Sequence, residues 1–438
     1  MRLTVVGCGY LGAVHAAAMS HLGHDVLGIE TDPQRVEALR QGRAPFYEPG
    51  LPELLAEGVA SGRLRFTCEP TVEDVAGADV HFIAVGTPQS PGSGRADLSQ
   101  VRAAVDMLAS FLDGQHLPLV VGKSTVPVGT SAELAGVLAG RARLVWNPEF
   151  LREGFAVKDT LHPDRIVYGL PGSPQEAEAA QSVLDEVYAQ ILDEDVPRIL
   201  TDYATAELVK TSANAFLAMK ISFINAMACM CEAAGGDVTV LARALGLDAR
   251  IGGRFLRAGI GFGGGCLPKD IRALATRASE LGVESLTRLL DQVDSINQGQ
   301  RDRVVDMAAE CCGDNVEGVS VTVLGATFKP DSDDLRDSPS LEVAERLSQL
   351  AAHVTVYDPQ AAEQVRRRSP DLAVAEDPWE ALEGADLVIL GTEWKELTGL
   401  DPQRAAQIVA RPVIIDARNA LDPMAWRAAG WSYRGVGR

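Results

Sequence analysis

Short, continuously apolar runs rich in β-branched residues recur along the chain, separated by segments long enough for a helix. They begin at residues 3, 25, 77 and 118, and again in the same order at residues 321, 354, 384 and 412. Strands that are apolar throughout are typical of a parallel sheet covered by helices on both faces. The pattern therefore predicts an α/β protein with two doubly wound, Rossmann-like domains.

The strand pattern disappears between roughly residues 200 and 300, where Ala, Leu and Met recur at helical spacing. The stretch from Asp202 to about Ala234 predicts one helix of about 30 residues. A helix this apolar hides its surface either in a dimer interface or between the two domains of one chain, and both remain open. We expect a first domain over 1–200, a central helical region over 201–303 and a second domain over 304–438.

Composition narrows the possible partners. The 438 residues carry a net charge of −20, which argues against a nucleic-acid-binding protein. No apolar run approaches the roughly 18 residues needed to span a bilayer, and the first residues enter a strand pattern without a signal region. The seven cysteines, an odd number, favour a reducing compartment, and His and Cys show no paired metal-ligand spacing. We therefore expect a cytoplasmic protein with no metal, membrane or nucleic-acid partner.

The turn after the first strand carries the motif Gly7-Cys8-Gly9-Tyr10-Leu11-Gly12 and leads into an Ala-rich helical segment. Glycines at this spacing let the backbone approach a pyrophosphate, and Glu30, at the end of the next strand, can bond both ribose hydroxyls. An acid here would repel a 2′-phosphate, so NAD is favoured over NADP, although Arg35 lies nearby. The matching turn of the second domain, at 325–329, lacks the motif and is expected to hold a different ligand.

A second glycine-rich segment ends in a cysteine. Five glycines within 259–265 precede Cys266, and Pro268 follows where a helix should begin. A cysteine at a helix amino terminus, beside Lys269, has its thiol pKa lowered toward the nucleophilic thiolate. We interpret Cys266 as a nucleophile and the other six cysteines as ordinary small apolar side chains.

Two polar residues on the long helix, Lys210 and Asn214, are four positions apart and share one face. Only seven of the 40 basic residues are lysine, so a lysine at this position suggests that a compact ammonium is required. An ammonium and an amide donor directed to one point can stabilise a developing alkoxide or oxyanion.

Three segments after predicted strands, at 123–127, 147–154 and 329–339, combine charged or hydroxyl residues with proline. Ligands bind at the carboxyl ends of parallel strands, so Thr125, Glu149 and Glu153 are expected at the site. Alternatively, the two glutamates are simply first-turn acids of a helix. The third segment is acidic and resembles a solvated loop, apart from Lys329 and Arg336.

These motifs together resemble the UDP-glucose 6-dehydrogenase family, within the wider group that includes GDP-mannose and UDP-N-acetylhexosamine dehydrogenases. The resemblance covers nearly the whole chain and rests on residues 7–12, 86–88, 123–127, 147–154, 210 with 214, and 262–270. It implies two successive oxidations at C6 of a UDP-sugar by NAD, without release of the aldehyde. The product would be a uronate such as UDP-glucuronate, used in polysaccharide biosynthesis, and the enzyme would be a homodimer.

The resemblance also implies roles for individual residues. Cys266 would form a thiohemiacetal and then a thioester, Lys210 and Asn214 would stabilise oxyanions, and Asp270 would place or activate water. Glu149 and Thr125 would serve proton transfer. The implied cofactor contacts, besides residues 7–12, Glu30 and Arg35, are Thr87, Thr125, Glu153, Lys269 and Arg336.

The implied substrate contacts lie in five parts of the chain, and one residue would reach the substrate of the partner subunit. They are Phe150, Leu151, Arg152, Glu153, Lys210, Asn214, Arg250 (reaching the partner's substrate), Phe255, Leu256, Arg257, Gly259, Gly263, Lys329 and Arg418. Two positions depart from the family pattern: Glu30 stands where Asp is common, and Arg257 where some members have Lys or Asn. The first should preserve ribose bonding, and the second leaves sugar selectivity open.

Three alternatives remain at this point. A two-electron hydroxyacid or 6-phosphogluconate-type dehydrogenase also combines a Rossmann domain with a Lys-x-x-x-Asn helix, but it has no use for Cys266 or for a second α/β unit. A non-catalytic NAD-binding sensor would keep the fold without turnover. Within the family, TDP-glucose, GDP-mannose and UDP-N-acetylhexosamines compete with UDP-glucose as substrate.

Overall fold

The computed structural model describes residues 1–438, which form two compact units, residues 1–213 and residues 214–438. The boundary between them falls inside the longest helix of the chain. Each unit is built on its own sheet.

The first unit contains an eight-stranded sheet. Its strands are β1 Arg2–Val6, β2 Asp25–Ile29, β3 Leu64–Thr67, β4 Val80–Ile83, β5 Leu119–Gly122, β6 Arg143–Trp146, β7 Ile166–Leu170 and β8 Arg198–Asp202. They lie in the order β3-β2-β1-β4-β5-β6-β7-β8, parallel except for the antiparallel pair β6 and β7. The first six strands have the order of a dinucleotide-binding fold.

The helices of this unit pack on both faces of the sheet, as its uniformly buried central strands require. They are α1 Tyr10–His21, α2 Pro33–Arg40, α3 Leu51–Ala60, α4 Val72–Ala76, α5 Ser99–Phe111, α6 Thr130–Val137, α7 Ala156–Leu161, α8 Pro174–Val187 and α9 Ala189–Leu192. Because Val6 pairs with both Ile29 and Ile83, the ends of β1, β2 and β4 lie at one edge of the sheet. The turn at 7–12 and Glu30 follow directly from this edge.

The second unit contains a six-stranded sheet that is parallel throughout. Its strands are β9 Ser320–Leu324, β10 His353–Tyr357, β11 Ala373–Val374, β12 Leu387–Leu390, β13 Val413–Asp416 and β14 Ser432–Gly435. Their order, β11-β10-β9-β12-β13-β14, repeats that of the first six strands of the other sheet. The predicted pair of doubly wound domains is therefore confirmed.

Ten helices complete the chain, counting the one shared with the first unit. They are α10 Tyr203–Ala234, α11 Val238–Gly246, α12 Leu267–Glu280, α13 Glu284–Cys311, α14 Pro339–Gln349, α15 Ala362–Arg368, α16 Pro378–Leu382, α17 Lys395–Thr398, α18 Pro402–Ala406 and α19 Pro423–Ala428. Asp and Ser side chains cap α11, α14, α16, α18 and α19, in agreement with their helix-start preference.

The long helix α10 confirms the predicted span. Contrary to the expectation that no apolar stretch of the chain could span a bilayer, it is long and apolar enough to do so by length and composition alone, a test that core helices of soluble proteins pass as well. Ile224 and Ala228 pack into the core of the second unit. On its exposed side, Phe216, Phe223 and Met230 are 58%, 51% and 60% exposed and follow one another at seven-residue intervals.

Candidate active site

The turn after β1 is shaped by close backbone contacts. Gly7 has φ +87°, and a Cβ there would lie 2.7 Å from Val85 Cγ1. A Cβ on Gly12 would lie 1.8 Å from the Gly7 carbonyl oxygen, whereas one on Gly9 would meet nothing within 4 Å. Gly9 directly precedes α1 and has no side chain to cap it, so the open space beside Gly9 lies at the positive end of that helix. The turn has the shape that a pyrophosphate requires.

Glu30 lies beside this turn, buried, with its carboxylate held by its own surroundings. Glu30 Oε2 accepts hydrogen bonds from Cys8 N at 3.0 Å and Arg35 Nη1 at 3.1 Å, and Oε1 accepts from Asp32 N at 3.1 Å. Burial alone would raise the Glu30 pKa, but the Asp32 N–H and the Arg35 guanidinium outweigh it and hold the pKa below its ordinary value. An ionised acid here fits NAD and disfavours a 2′-phosphate.

The next strand ends bring two further predicted residues together. Thr87, after β4, is buried and donates from Oγ1 to the Thr125 carbonyl oxygen at 2.8 Å. Thr125 itself is partly buried in the turn after β5. Both lie at the same sheet edge as the glycine turn, so the residues of this unit fit a bound dinucleotide.

The segment after β6 and the start of α10 form a buried ion pair. Lys210 Nζ lies 2.9 Å from Glu149 Oε1, and Glu149 Oε2 accepts a hydrogen bond from Leu151 N at 2.6 Å. The lysine side chain is 6% exposed, so little water competes with this pair. Lys210 also lies 5.9 Å from the centroid of the Phe150 ring, whose other neighbour is the Arg165 guanidinium, 3.9 Å from that centroid. A carboxylate and an ammonium in this arrangement can share and transfer a proton.

A second buried lysine, Lys123, lies near the ion pair of Lys210 and Glu149. Lys123, at the end of β5, donates to Asn147 Oδ1 at 2.9 Å and to Tyr188 Oη at 3.3 Å. Burial lowers the Lys123 pKa to about 8, although the Glu149 carboxylate acts to raise it. Lys123 and Asn147 thereby connect the two strand ends from which Thr125 and Glu149 extend.

In the second unit, the glycine segment before Cys266 packs against the loop between β9 and α14. A Cβ on Gly263 would lie 2.1 Å from the Asp337 carbonyl oxygen, one on Gly264 would lie 2.7 Å from the Phe328 ring, and one on Gly265 2.3 Å from the Arg336 guanidinium. Cys266 is exposed and is the residue before α12, which has Pro268 in its first turn and no side-chain cap. The predicted location of the thiol at a helix amino terminus is confirmed.

Two predicted polar residues meet beside the first turn of α12. Asn214 Nδ2 donates to Asp270 Oδ2 at 2.6 Å, and Lys269 Nζ lies 2.6 Å from Asp270 Oδ1. Asp270 and Asn214 are buried. Each of the paired residues on α10 therefore contacts a different acid: Lys210 contacts Glu149, and Asn214 contacts Asp270.

The loops after β9 and β13 carry the remaining predicted cations of this unit, Lys329, Arg336 and Arg418. Arg418 donates to the carbonyl oxygens of Gly261 at 3.0 Å, Phe328 at 2.8 Å and Gly391 at 2.7 Å. Lys329 Nζ lies 5.3 Å from the Phe328 ring centroid, and Arg336 pairs with Asp334. Gly259 N donates to Asn225 Oδ1 at 2.8 Å, which fixes the start of the segment against α10.

The other predicted substrate contacts have different surroundings, and Arg257 shares the acid Glu393 with Arg418. Arg152 binds Asp159, Arg257 pairs with Glu393 at 3.4 Å, and Arg250 is 88% exposed and pairs with Asp248. Phe255 is exposed with φ +63°, next to the buried Leu256. Leu151 and Glu153 are partly buried in the segment after β6.

Sequence reasoning missed two buried acids. Glu207 accepts hydrogen bonds from Gly129 N at 2.7 Å and Ser131 N at 2.6 Å at the start of α6, one turn before Lys210 on α10. Glu48, between α2 and α3, contacts both Tyr10 and Gly154. Neither belongs to a recognisable motif, and the only available sequence signal was an acid on an otherwise apolar stretch.

Comparison with known proteins assigns nearly all of the chain to one family. The UDP-glucose/GDP-mannose dehydrogenase family models match in three parts: the NAD binding domain over residues 1–192, the central domain over 204–299 and the UDP binding domain over 322–423.

Individual relatives agree with this assignment. The chain is 42% identical to a UDP-glucose 6-dehydrogenase of Rhizobium meliloti over 100% of both chains, and 39% identical to the UDP-glucose 6-dehydrogenase YwqF of Bacillus subtilis over 100% of this chain and 98% of the relative. A solved UDP-glucose dehydrogenase from Pyrobaculum islandicum superposes with a TM-score of 0.90 at 39% identity, over 100% of this chain and 97% of that one.

Proposed function

This chain belongs to the UDP-glucose/GDP-mannose dehydrogenase family, and from this premise we propose that it is an NAD-dependent UDP-glucose 6-dehydrogenase. It oxidises the C6 alcohol of UDP-glucose to the carboxylate of UDP-glucuronate in two two-electron steps. The observation that carries the proposal is the exposed Cys266 thiol at the uncapped start of α12. A two-electron dehydrogenase would have no use for it.

The first unit holds the cofactor. The glycines of the turn would admit the pyrophosphate, the N–H groups at the start of α1 would bind it, and ionised Glu30, paired with Arg35, would select the unphosphorylated ribose by repelling a 2′-phosphate. NAD supplies the hydride acceptor for each oxidation.

Proton transfer in the first oxidation is assigned to the Glu149–Lys210 pair. The carboxylate, 2.9 Å from the ammonium, accepts the alcohol proton through water, with Thr125 as a further hydrogen-bonding partner. Lys210 and Asn214, one helical turn apart on α10, stabilise the developing oxyanion.

Cys266 retains the aldehyde for the second oxidation. Its thiolate attacks C6 to form a thiohemiacetal, and loss of the second hydride leaves a thioester. The dipole of α12, a helix of 14 residues without a side-chain cap, favours the thiolate. Hydrolysis of the thioester then needs a placed water, and we assign this role to Asp270, a buried acid in the first turn of α12 that is bonded to Asn214 and Lys269.

Reaction stoichiometry tests the four-electron proposal. Wild-type protein should produce two NADH per UDP-glucose consumed. Cys266→Ser should lose uronate formation, and a trapped adduct should map to Cys266 in wild-type protein by mass spectrometry. Cys229→Ser, which changes another exposed cysteine, is the matched control and should keep the two-to-one ratio. One NADH per substrate, or full activity of Cys266→Ser, contradicts the proposal.

Choice of sugar is tested by relative turnover on UDP-glucose, TDP-glucose, GDP-mannose and UDP-N-acetylhexosamines. The substrate contacts assigned here are Phe150, Leu151, Arg152, Glu153, Phe255, Leu256, Arg257, Gly259, Gly263, Lys329 and Arg418. UDP-glucose should give the highest kcat/KM. A higher kcat/KM for a UDP-N-acetylhexosamine would contradict the choice of UDP-glucose and indicate a different branch of the family.

The enzyme is proposed to be a homodimer. The exposed stripe Phe216, Phe223 and Met230 along α10 supports this, because apolar residues at seven-residue spacing form a continuous helix–helix seam. In such a dimer the exposed Arg250 is available to the partner's substrate. Phe216→Ser with Phe223→Ser should yield monomer in light scattering, whereas Val72→Ser, at another exposed apolar position, should not.

The remaining assignments follow from composition and architecture. We propose a cytoplasmic enzyme without nucleic-acid or membrane partners, supported by seven cysteines that form no disulfide and by the net charge of −20. The division into 1–200, 201–303 and 304–438 is supported in its order by the three matched segments, which begin at residues 1, 204 and 322, whereas its boundaries fall inside β8 and α13.

A further inference from the structure

Glu48 is a buried carboxylate to which none of the reaction steps above assigns a role. It lies in the segment between α2 and α3 and is 2% exposed. Its Oε1 accepts a hydrogen bond from Ala156 N at 2.7 Å, and its Oε2 accepts one from Gly154 N at 2.7 Å and another from the Tyr10 hydroxyl. A buried carboxylate is costly unless its oxygens are bonded, so these three donors are held in one arrangement.

Tyr10 connects this carboxylate to the dinucleotide turn. It is the first residue of α1, directly after Gly9, and its ring lies 4.7 Å from that of Phe46. Burial and then the Glu48 carboxylate raise the Tyr10 pKa, so the phenol keeps its proton and remains a donor to Glu48. The same phenol oxygen accepts a hydrogen bond from Gly154 N at 3.1 Å.

The other end of the network is the segment that carries the proposed proton-transfer acid. Gly154, with φ +79°, ends the run from Asn147 that contains Glu149 and Glu153. Glu48 and Gly154 are 106 residues apart in sequence, and Gly154 N donates to both Glu48 and Tyr10, so this network joins turn 7–12 to segment 147–154.

We propose that Glu48 is a positioning residue that, through Tyr10, couples dinucleotide binding at turn 7–12 to sugar-nucleotide binding at segment 147–154. A ligand that orders the start of α1 orders Tyr10 and Glu48, and with them Gly154 and the residues before it. By reciprocity, the sugar nucleotide tightens dinucleotide binding by the same factor. This inference rests on the proposed function for the identity of the two ligands.

Calorimetry on the full chain with NADH and UDP-glucose tests the coupling, because this pair binds without turnover. In wild-type protein, saturating NADH should tighten UDP-glucose binding by at least about fivefold. Glu48→Gln has one acceptor oxygen where the carboxylate has two, and its amide would face a backbone N–H. Its coupling factor should fall to about one, while each separate Kd changes by less than about threefold.

Two further variants separate positioning from general stability. Tyr10→Phe removes only the phenol oxygen and leaves both backbone bonds of Glu48, so it reports on the coupling even if Glu48→Gln folds poorly. Its coupling factor should fall below half that of wild type. Tyr47→Phe alters the neighbouring residue, 39% exposed, and should keep the wild-type factor.

The outcomes are distinct. A wild-type factor near one, an unchanged factor in Glu48→Gln or Tyr10→Phe, or an equal loss in Tyr47→Phe overturns the coupling while leaving the proposed function standing. Absence of UDP-glucose or NADH binding to wild-type protein contradicts the proposed function itself, and the coupling with it.

Discussion

Two glycine-rich loops in this protein each lead into a helix and each contain a cysteine, but one cysteine is buried and the other is exposed. The loop at 7–12 precedes α1 and contains Cys8, which is fully buried and whose thiol pKa is raised by burial. The loop at 259–266 precedes α12 and ends at Cys266, which is exposed. Glycine content and helix position are shared, so burial decides which thiol can be a nucleophile.

The two loops also differ in the groups that lie beside their glycines. In the first loop, Gly7 and Gly12 permit the turn to fold on itself, and Gly9 faces open space. In the second, Gly263, Gly264 and Gly265 are approached by the Asp337 carbonyl, the Phe328 ring and the Arg336 guanidinium. The first loop leaves room for a ligand, and the second is filled by the chain's own loop, which directs Cys266 outward.

Thiol labelling should separate the two loops by the largest factor. Iodoacetamide should modify Cys266 at least about 1,000 times faster than Cys8 in the folded protein, because Cys8 reacts only after the unit opens. Peptide mapping by mass spectrometry gives both rates, and in denaturant they should converge. Comparable rates in the folded state would mean that burial does not distinguish the loops.

Gly12→Ala should weaken NADH binding by about 100-fold, since its Cβ would lie 1.8 Å from the Gly7 carbonyl oxygen and must open the turn. Its stability should fall as well. Gly9→Ala is the matched control: with nothing within 4 Å of its Cβ, the free energy of unfolding should change by less than about 0.5 kcal/mol while NADH binding still weakens. Calorimetry and urea unfolding measure the two effects. A stable Gly12→Ala with unchanged binding would contradict the close-contact account.

Within the second loop, the cost of a methyl group should depend on what it meets. Gly263→Ala encounters a backbone oxygen and should destabilise the protein by about 2 kcal/mol. Gly265→Ala encounters the far end of the Arg336 side chain, which can move, and should cost less than about 1 kcal/mol. Urea unfolding of the two variants gives the comparison. Equal losses of stability in the two variants would show that the backbone of the loop, and not the groups packed against it, excludes a side chain.

The smallest effect is the pH dependence contributed by Cys8. Its folded pKa lies above the ordinary value of 9.0, so above that pH the folded state binds more protons than the unfolded chain. Stability should therefore fall with rising pH by about 1.4 kcal/mol per unit from this residue. Cys8→Ala should show a shallower decline between about pH 9 and pH 10 in urea unfolding. An identical slope would place the Cys8 pKa near its ordinary value.

The spacing of apolar residues was sufficient to predict the main strands and the long helix, because this spacing reflects which positions of each element are buried. The apolar runs at β1, β2, β4 and β5 and at β9, β10, β12 and β13 predicted both sheets, and helical spacing predicted α10 to within one residue of its observed start. The antiparallel step between β6 and β7 was not predictable, since strand direction depends on how the chain returns through space.

The residues of the candidate site likewise fall into those that a local motif predicts and those that come together only in the folded chain. The turn at 7–12, Glu30, and Cys266 before Pro268 depend on neighbouring residues in the chain, so their sequence motifs were enough to predict them. The pairing of Lys210 with Glu149, of Asn214 with Asp270, and of Glu48 with Tyr10 and Gly154 was decided only by the tertiary structure. These residues are distant in sequence, and a buried charge takes whichever partner the packed strands and helices bring within hydrogen-bonding distance. The difference between Cys8 and Cys266 has the same origin, because solvent exposure is a property of the folded chain and not of the motif.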